Sequence, residues 1–182
     1  MVKLFPIIVE AHACCYLSLS AKFKFMLGVL PQDQIEDLLK TQVVGRIGCS
    51  ADDETYIVPI SYAYDGKYIY CHTREGRKAN MMRRNPKICF EVEDLQNMAN
   101  WKSVVLQGKF EELVEKKDRN FAMQTLLNRY LPIMSSVTMH LGEDWPFQPD
   151  DTTEIHGIVF RIAISEKSGR FESSQESPII PG

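Results

Sequence analysis

The sequence predicts a mainly β protein: six antiparallel strands closing, wholly or partly, into a small barrel with short helices set between them. Three observations carry that prediction. Apolar and alternating runs recur in hairpin order through residues 43–113 and again at 155–165. Asp65-Gly66, between two such runs, is a strong two-residue hairpin signal. The helical stretches are few and unevenly placed, whereas a doubly wound parallel sheet would alternate strand and helix regularly.

Taken in order, residues 1–25 stand apart from the rest. Glu10 and His12 break what a signal peptide needs as an unbroken apolar centre of about 7–15 residues. The roughly 20 apolar residues of a membrane span are also missing. Met26 precedes a helix start at Pro31, so residues 1–25 are expected to be an extension upstream of a natural start. Residues 26–172 are then the domain and 173–182 a tail. Pro31 suits a first helical turn, and Ile35, Leu38 and Leu39 form the apolar stripe of a short amphipathic helix. The expected strands are Val43–Ser50, Thr55–Tyr64, Lys67–His72, Ile88–Glu93, Trp101–Leu113 and Ile155–Ser165. Between them, residues 75–85 read as a helix stopped by Pro86. Residues 115–130 place Phe121, Leu126, Leu127 and Tyr130 at helical spacing, and 142–153 read as a loop.

The length of 182 residues corresponds to about 1.2 nominal domains, so one domain with extensions is expected. An apolar fraction of 45% and a net charge of −3 exclude a disordered chain and disfavour a polyanion binder, so no nucleic-acid partner is expected. Five cysteines, at 14, 15, 49, 71 and 89, include no C-x-x-C pair and make a poor disulfide framework or zinc site. Cys71 and Cys89 read as small buried hydrophobes, and the usage suits a reducing, cytoplasmic compartment. His140 and His156 are isolated, so no metal site is expected.

The chemistry concentrates in residues 58–80. His72-Thr73-Arg74-Glu75-Gly76-Arg77-Lys78 leaves a strand and opens a helix. Two cations in a first helical turn oppose the dipole, at roughly 0.3–1 kcal/mol each. A bound phosphate would resolve the conflict through helix N–H groups, the Thr73 hydroxyl and the two cations. On spacing alone a solvated charged turn is the stronger of the two readings. Pro59 removes a ladder donor in mid-strand. It marks either a plain edge or a place where backbone groups of Val58 and Ile60 meet a planar polar ligand.

These residues carry a resemblance. Val-Val-Gly-Arg-Ile-Gly (43–48), Val-Pro-Ile-Ser-Tyr-Ala-Tyr-Asp-Gly (58–66), Tyr-Cys-His-Thr-Arg-Glu-Gly-Arg-Lys (70–78) and Asn-Pro-Lys-Ile-Cys-Phe-Glu-Val (85–92) recur in the order found in one superfamily. With Trp101-Lys-Ser-Val-Val and residues 166–172, they resemble the pyridoxamine 5′-phosphate oxidase-like, flavin mononucleotide (FMN)-binding split barrels. Within that superfamily the nitroimidazole-resistance (Nim) branch is most similar, over about residues 26–172.

The resemblance implies a six-stranded antiparallel split β-barrel with flanking short helices, forming a homodimer with flavin at the subunit interface. It implies FMN as cofactor, with FAD as the alternative because a phosphate cradle serves the part both share. Val58, Pro59 and Ile60 would lie along the isoalloxazine edge, His72 and Thr73 near the ring and ribityl chain, and Arg77 and Lys78 on the phosphate. Trp101 and Ser103 would approach from the partner subunit. His72 would be the catalytic residue, a proton donor or substrate contact, since an imidazole with pKa near ~6.5 can give a proton near neutral pH. Arg46 is either part of the site or a structural ion pair. The C-terminus lacks the arginine- and proline-containing signature of full pyridoxamine phosphate oxidases. The expected activity is therefore reduction of small electrophiles such as nitroaromatics, with electrons from a nicotinamide or other donor. The competing readings are a non-catalytic flavin carrier or sensor, and a haem-binding split barrel ligated by His72 or His156.

Overall fold

The computed structural model describes residues 24–130 and 157–175, with the side chains of Lys24, Phe25, Tyr130 and Gln175 left out. His140, His156, the expected loop at 142–153 and most of the two expected extensions lie outside the described residues.

Strand β1 (Lys24–Val29) leads into helix α1 (Gln32–Thr41), then strands β2 (Val44–Ala51), β3 (Glu54–Tyr64) and β4 (Tyr68–Thr73). Helix α2 (Arg77–Arg84), strands β5 (Lys87–Asn97) and β6 (Asn100–Glu112), helix α3 (Lys116–Tyr130) and strand β7 (Ile158–Gln175) complete the order. All pairings described are antiparallel, in the order β1-β7-β4-β3-β2-β5-β6, and an additional β7–β6 pairing closes β2 to β7 into a six-stranded barrel. The six expected strands are those six. The seventh, β1, was not expected; it lies along the far half of β7, from Lys24↔Gln175 to Val29↔Arg170. β7 accordingly runs to Gln175, ten residues past the expected end at Ser165, because three neighbours share it: β4 first, β6 along the middle and β1 last.

Alternation builds the core. Ile47 and Cys49, Ile60 and Tyr62, Ile69 and Cys71, Phe90 and Val92, Val104 and Leu106, and Phe160 and Ile162 all point into the barrel. Burying such a side chain contributes roughly 1.5–3 kcal/mol. Tyr62 meets the Phe90 ring edge-on at 5.2 Å, and its hydroxyl donates to the Leu39 carbonyl at 2.9 Å. That bond satisfies a fully buried phenol and pins the end of α1, whose Ile35, Leu38 and Leu39 plug the barrel as the stripe predicts. Outside the barrel, Ala122, Met123 and Leu126 of α3 cover Ala63, Tyr70 and Val159. Phe121, one of the residues at helical spacing in the sequence, is 58% exposed, touching Tyr70 edge-on. Ala122 and Met123 take the inward positions instead.

Two local features differ from expectation. The β3–β4 loop is Gly66-Lys67, one residue later than the sequence suggests, with Asp65 N–H donating to the Tyr68 carbonyl. The Asp65 carboxylate accepts from the Lys67 and Tyr68 N–H groups at 2.8 and 2.7 Å, and Gly66 takes the positive φ of 98° that this turn requires. Cys89 is not buried: Ile88 and Phe90 occupy the inward positions of β5, leaving Cys89 half-exposed on the outer face beside Gln107.

Candidate functional site

The barrel is split between β3 and β4. These strands pair only from Tyr62↔Cys71 to Tyr64↔Ile69. Beyond Cys71, β4 stays on β7, with His72↔Val159 and Thr73↔Ile158, while β3 from Glu54 to Ser61 stays on β2. Among the described residues nothing pairs with that stretch of β3 on its β4 side. A wedge opens there, and the 74–76 turn with the start of α2 lies at its end.

Backbone direction inside the wedge follows from register. Tyr62 N–H donates to the Val43 carbonyl, and pairing runs unbroken from Val44↔Ser61 to Ala51↔Glu54. By alternation the amide groups of Ile60 and Val58 also face β2, and those of Ser61, Pro59 and Ile57 face the wedge. This corrects the expectation that Val58 and Ile60 present free backbone groups. It also explains Pro59, whose missing N–H falls on the unpaired edge, where no ladder bond is lost. The side chains of Val58 and Ile60 point inward, Ile60 into the core and Val58 packed against it.

At the end of the wedge, Arg77 donates to Glu54 Oε2 at 2.7 Å and lies over the Tyr56 ring at 5.1 Å. Both partners of this ion pair are more than half exposed. Lys78 is half-buried; burial holds its ammonium below the ordinary lysine value, with the thiols of Cys71 and Cys49 acting in the opposite direction. The acids of α2's surroundings are taken by other cations: Arg83 binds Glu75 and Glu112, and Arg84 binds Asp52. Burial pushes the Cys49 and Cys71 thiols up, making them poor nucleophiles.

His72 and Thr73 end β4, each half-buried. His72 shares the outer face with Tyr68 and Tyr70, opposite Ile69 and Cys71. It packs on Gly157, whose φ of 81° brings its backbone so close that an added Cβ would lie 3.0 Å from His72 Nε2 and 2.6 Å from the Thr73 carbonyl oxygen. Glu54, Tyr56 and Gly157 were missed in the sequence. The two β3 residues carry no motif, and Gly157 follows a long segment without periodicity.

Trp101 and Ser103 lie on β6 opposite Glu172 and Arg170 of β7, whereas His72 and Thr73 lie opposite Val159 and Ile158 at the other end of that strand, so one chain does not bring them to the wedge. Trp101 Nε1 donates to Glu172 at 3.0 Å, and Ser103 Oγ to Glu91 at 2.8 Å. Arg46 is bound to Glu91 and Glu93 on the outer face. On that face Arg46, Gly48, Ile57, Cys89, Glu91 and Gln107 line a shallow groove of about 500 Å³, and Val44 and Ile57 are exposed beside it. Among the described residues no three His, Cys, Asp or Glu side chains form a metal-binding group. No described helix is long and apolar enough to cross a membrane.

Solved structures share this architecture. A FAD-binding protein of Mesorhizobium loti is 29% identical and superposes with a TM-score of 0.61, covering 80% of this chain and 98% of that one. A candidate 5-nitroimidazole antibiotic resistance protein of Bacteroides thetaiotaomicron has the same TM-score at 16% identity, covering 85% and 94%. The flavocytochrome Anf3 of Azotobacter vinelandii also reaches 0.61, at 18% identity over 84% and 74%. The last two likenesses concern the fold. Among curated proteins, RA0666 of Rhizobium meliloti strain 1021, described as uncharacterized, is 35% identical over 85 residues, which are 47% of this chain and 56% of that protein. The chain thus spans about half the length of the curated relative it matches. The family model for pyridoxamine 5′-phosphate oxidase matches residues 31–171. The split barrel described above is therefore that of its family: this chain belongs to the pyridoxamine 5′-phosphate oxidase family.

Proposed function

We propose that the chain binds a flavin nucleotide in the β3–β4 wedge and, as a homodimer, uses it to reduce small electrophiles such as nitroaromatics. The observation that carries the reading is the wedge itself: an unpaired strand edge leading to Arg77 and Lys78. The FAD-binding relative, covered over 98% of its length, supports a flavin as the occupant.

The residues fit such a group. Arg77 and Lys78 supply two cations for a phosphate, Lys78 from a half-buried position where an anion is worth more than in open water. The carbonyl of Pro59 and the amide groups of Ile57 and Ser61 would orient the polar edge of a planar ring. Bound flavin supplies electron storage and transfer. His72 would hold a proton for the acceptor, and a second copy over the outer face, where Val44 and Ile57 are exposed, would exclude water and bring Trp101 and Ser103 of that copy toward the ring. FMN is the expected nucleotide, FAD the alternative, and a nicotinamide the expected donor.

The test is anaerobic. Purified protein should bleach in its flavin bands on addition of a nicotinamide donor and recover its colour with a nitroaromatic. Light scattering should give a dimer of the 20.9 kDa chain. Bleaching without reoxidation by any acceptor tried would favour the carrier reading, and a flavin-loaded monomer would refute the shared site.

A further inference from the structure

The turn leading into α2 is held by more than its own backbone. α2 starts after Gly76, which has no side chain, and no side-chain bond caps the helix there. The residue before it, Glu75, is held from the far end of the same helix. Long helical side chains lean toward the N-terminus. Arg83, in the last turn, reaches back and donates to both carboxylate oxygens of Glu75 at 2.8 Å. The same guanidinium donates to both oxygens of Glu112 at 2.7 and 2.8 Å. Glu112 ends β6 opposite Phe160 of β7, and the adjoining Val159 and Ile158 pair with His72 and Thr73. One arginine thus ties the turn to the part of the barrel that carries the end of β4. Isolated surface pairs are weak, but this one is bidentate on both carboxylates, with Arg83 at 36% and Glu112 at 26% exposure.

We propose that Arg83 is a positioning residue for the phosphate end of the wedge: through Glu75 it fixes the turn from which Arg77 and Lys78 project. This rests on the flavin reading above. Arg77 and Lys78 follow Glu75 directly after Gly76, so a turn free to swing moves both cations relative to the β3 edge. Arg83 does not serve as a third phosphate cation, because its Nε, Nη1 and Nη2 donors are already spent on the two carboxylates. Its effect therefore falls on ligands that carry a phosphate and spares those that do not.

Fluorescence titration of the full flavin-stripped chain with riboflavin and FMN tests this. In Arg83→Gln, FMN should bind at least about tenfold more weakly, the loss expected for one misplaced charge-assisted contact, with riboflavin unchanged. Arg83→Lys keeps the charge but not the planar fork that spans two carboxylates. It should lose FMN affinity to a similar extent, and it decides the matter if Arg83→Gln does not fold. Wild-type FMN affinity in Arg83→Lys would mean that charge alone acts, and an equal loss for FMN and riboflavin would mean a general structural role. Either result overturns the proposal while leaving the flavin reading standing. Failure of the wild type to bind either flavin overturns both.

Discussion

Replacing Gly157 by alanine should damage the fold and the site together, by an amount the backbone geometry sets. Two costs add. A φ of 81° is unfavourable for a residue with a Cβ, by roughly 1–2 kcal/mol. The new Cβ would also lie 2.6 Å from the Thr73 carbonyl oxygen and 3.0 Å from His72 Nε2. The first neighbour is backbone in a paired strand, so relief requires β4 or β7 to shift, an overpacking cost of about 1–3 kcal/mol. The total is about 2–5 kcal/mol. Gly66→Ala separates the two terms, because Gly66 has a φ of 98° with open space around its Cβ position and should lose only the conformational part. Urea unfolding of the three proteins with a common slope gives the comparison. Gly157→Ala should be less stable than Gly66→Ala by about 1–3 kcal/mol and should bind flavin more weakly, since Thr73 and His72 move. Equal losses in the two variants would refute the close packing of Gly157 on the end of β4.

Three further outcomes follow from the same geometry. Arg77→Ala with Lys78→Ala should leave the fold nearly intact, because the Arg77–Glu54 pair is exposed, yet weaken flavin binding at least ~100-fold by removing two charge-assisted contacts, read by cofactor retention on gel filtration. His72→Ala should keep the flavin spectrum but slow nitroaromatic reduction by roughly 10²–10⁴-fold; unaltered turnover per bound flavin would remove His72 from the catalytic role. Burial tends to raise the Glu36 carboxyl, but hydrogen bonds from Lys167 and Tyr64 outweigh it and hold the group below the ordinary carboxylate value. The folded chain therefore binds that proton less readily, and this stability is present above the ordinary value near pH 4.5 and lost as pH falls through the lower folded value. Thermal melts between pH 6 and 3 should show Glu36→Gln less stable at pH 6 and less steeply acid-sensitive than wild type.

Much of the barrel was legible because β2 to β6 largely keep a two-residue alternation that one chain segment reveals by itself. β1 and the far half of β7 were not. Residues 166–174 are mostly polar and half-exposed, and the β1 partners of residues 170–175 lie about 145 positions away, a pairing that no local pattern encodes. Thr73, Arg77 and Lys78 could be grouped in the sequence because they are nearly contiguous. Glu54 could not, since its ion pair depends on β3 folding back past α2. The same limit applies to Val58 and Ile60: alternation says which residues share a face, but which edge their amides serve depends on the strand that pairs with them. Trp101 and Ser103 would join the site only in the proposed homodimer, which no pattern within one chain encodes.

The central claim is that the wedge holds a flavin nucleotide. Denaturing the purified full-length protein and weighing the released small molecule by mass spectrometry tests it most directly, with the absorbance of the native protein recorded beforehand. Blue and near-ultraviolet flavin bands are expected, with release of FMN or FAD in about one equivalent per chain. A protein that shows a Soret band, or that stays colourless and takes up neither nucleotide when both are added in excess, would contradict it.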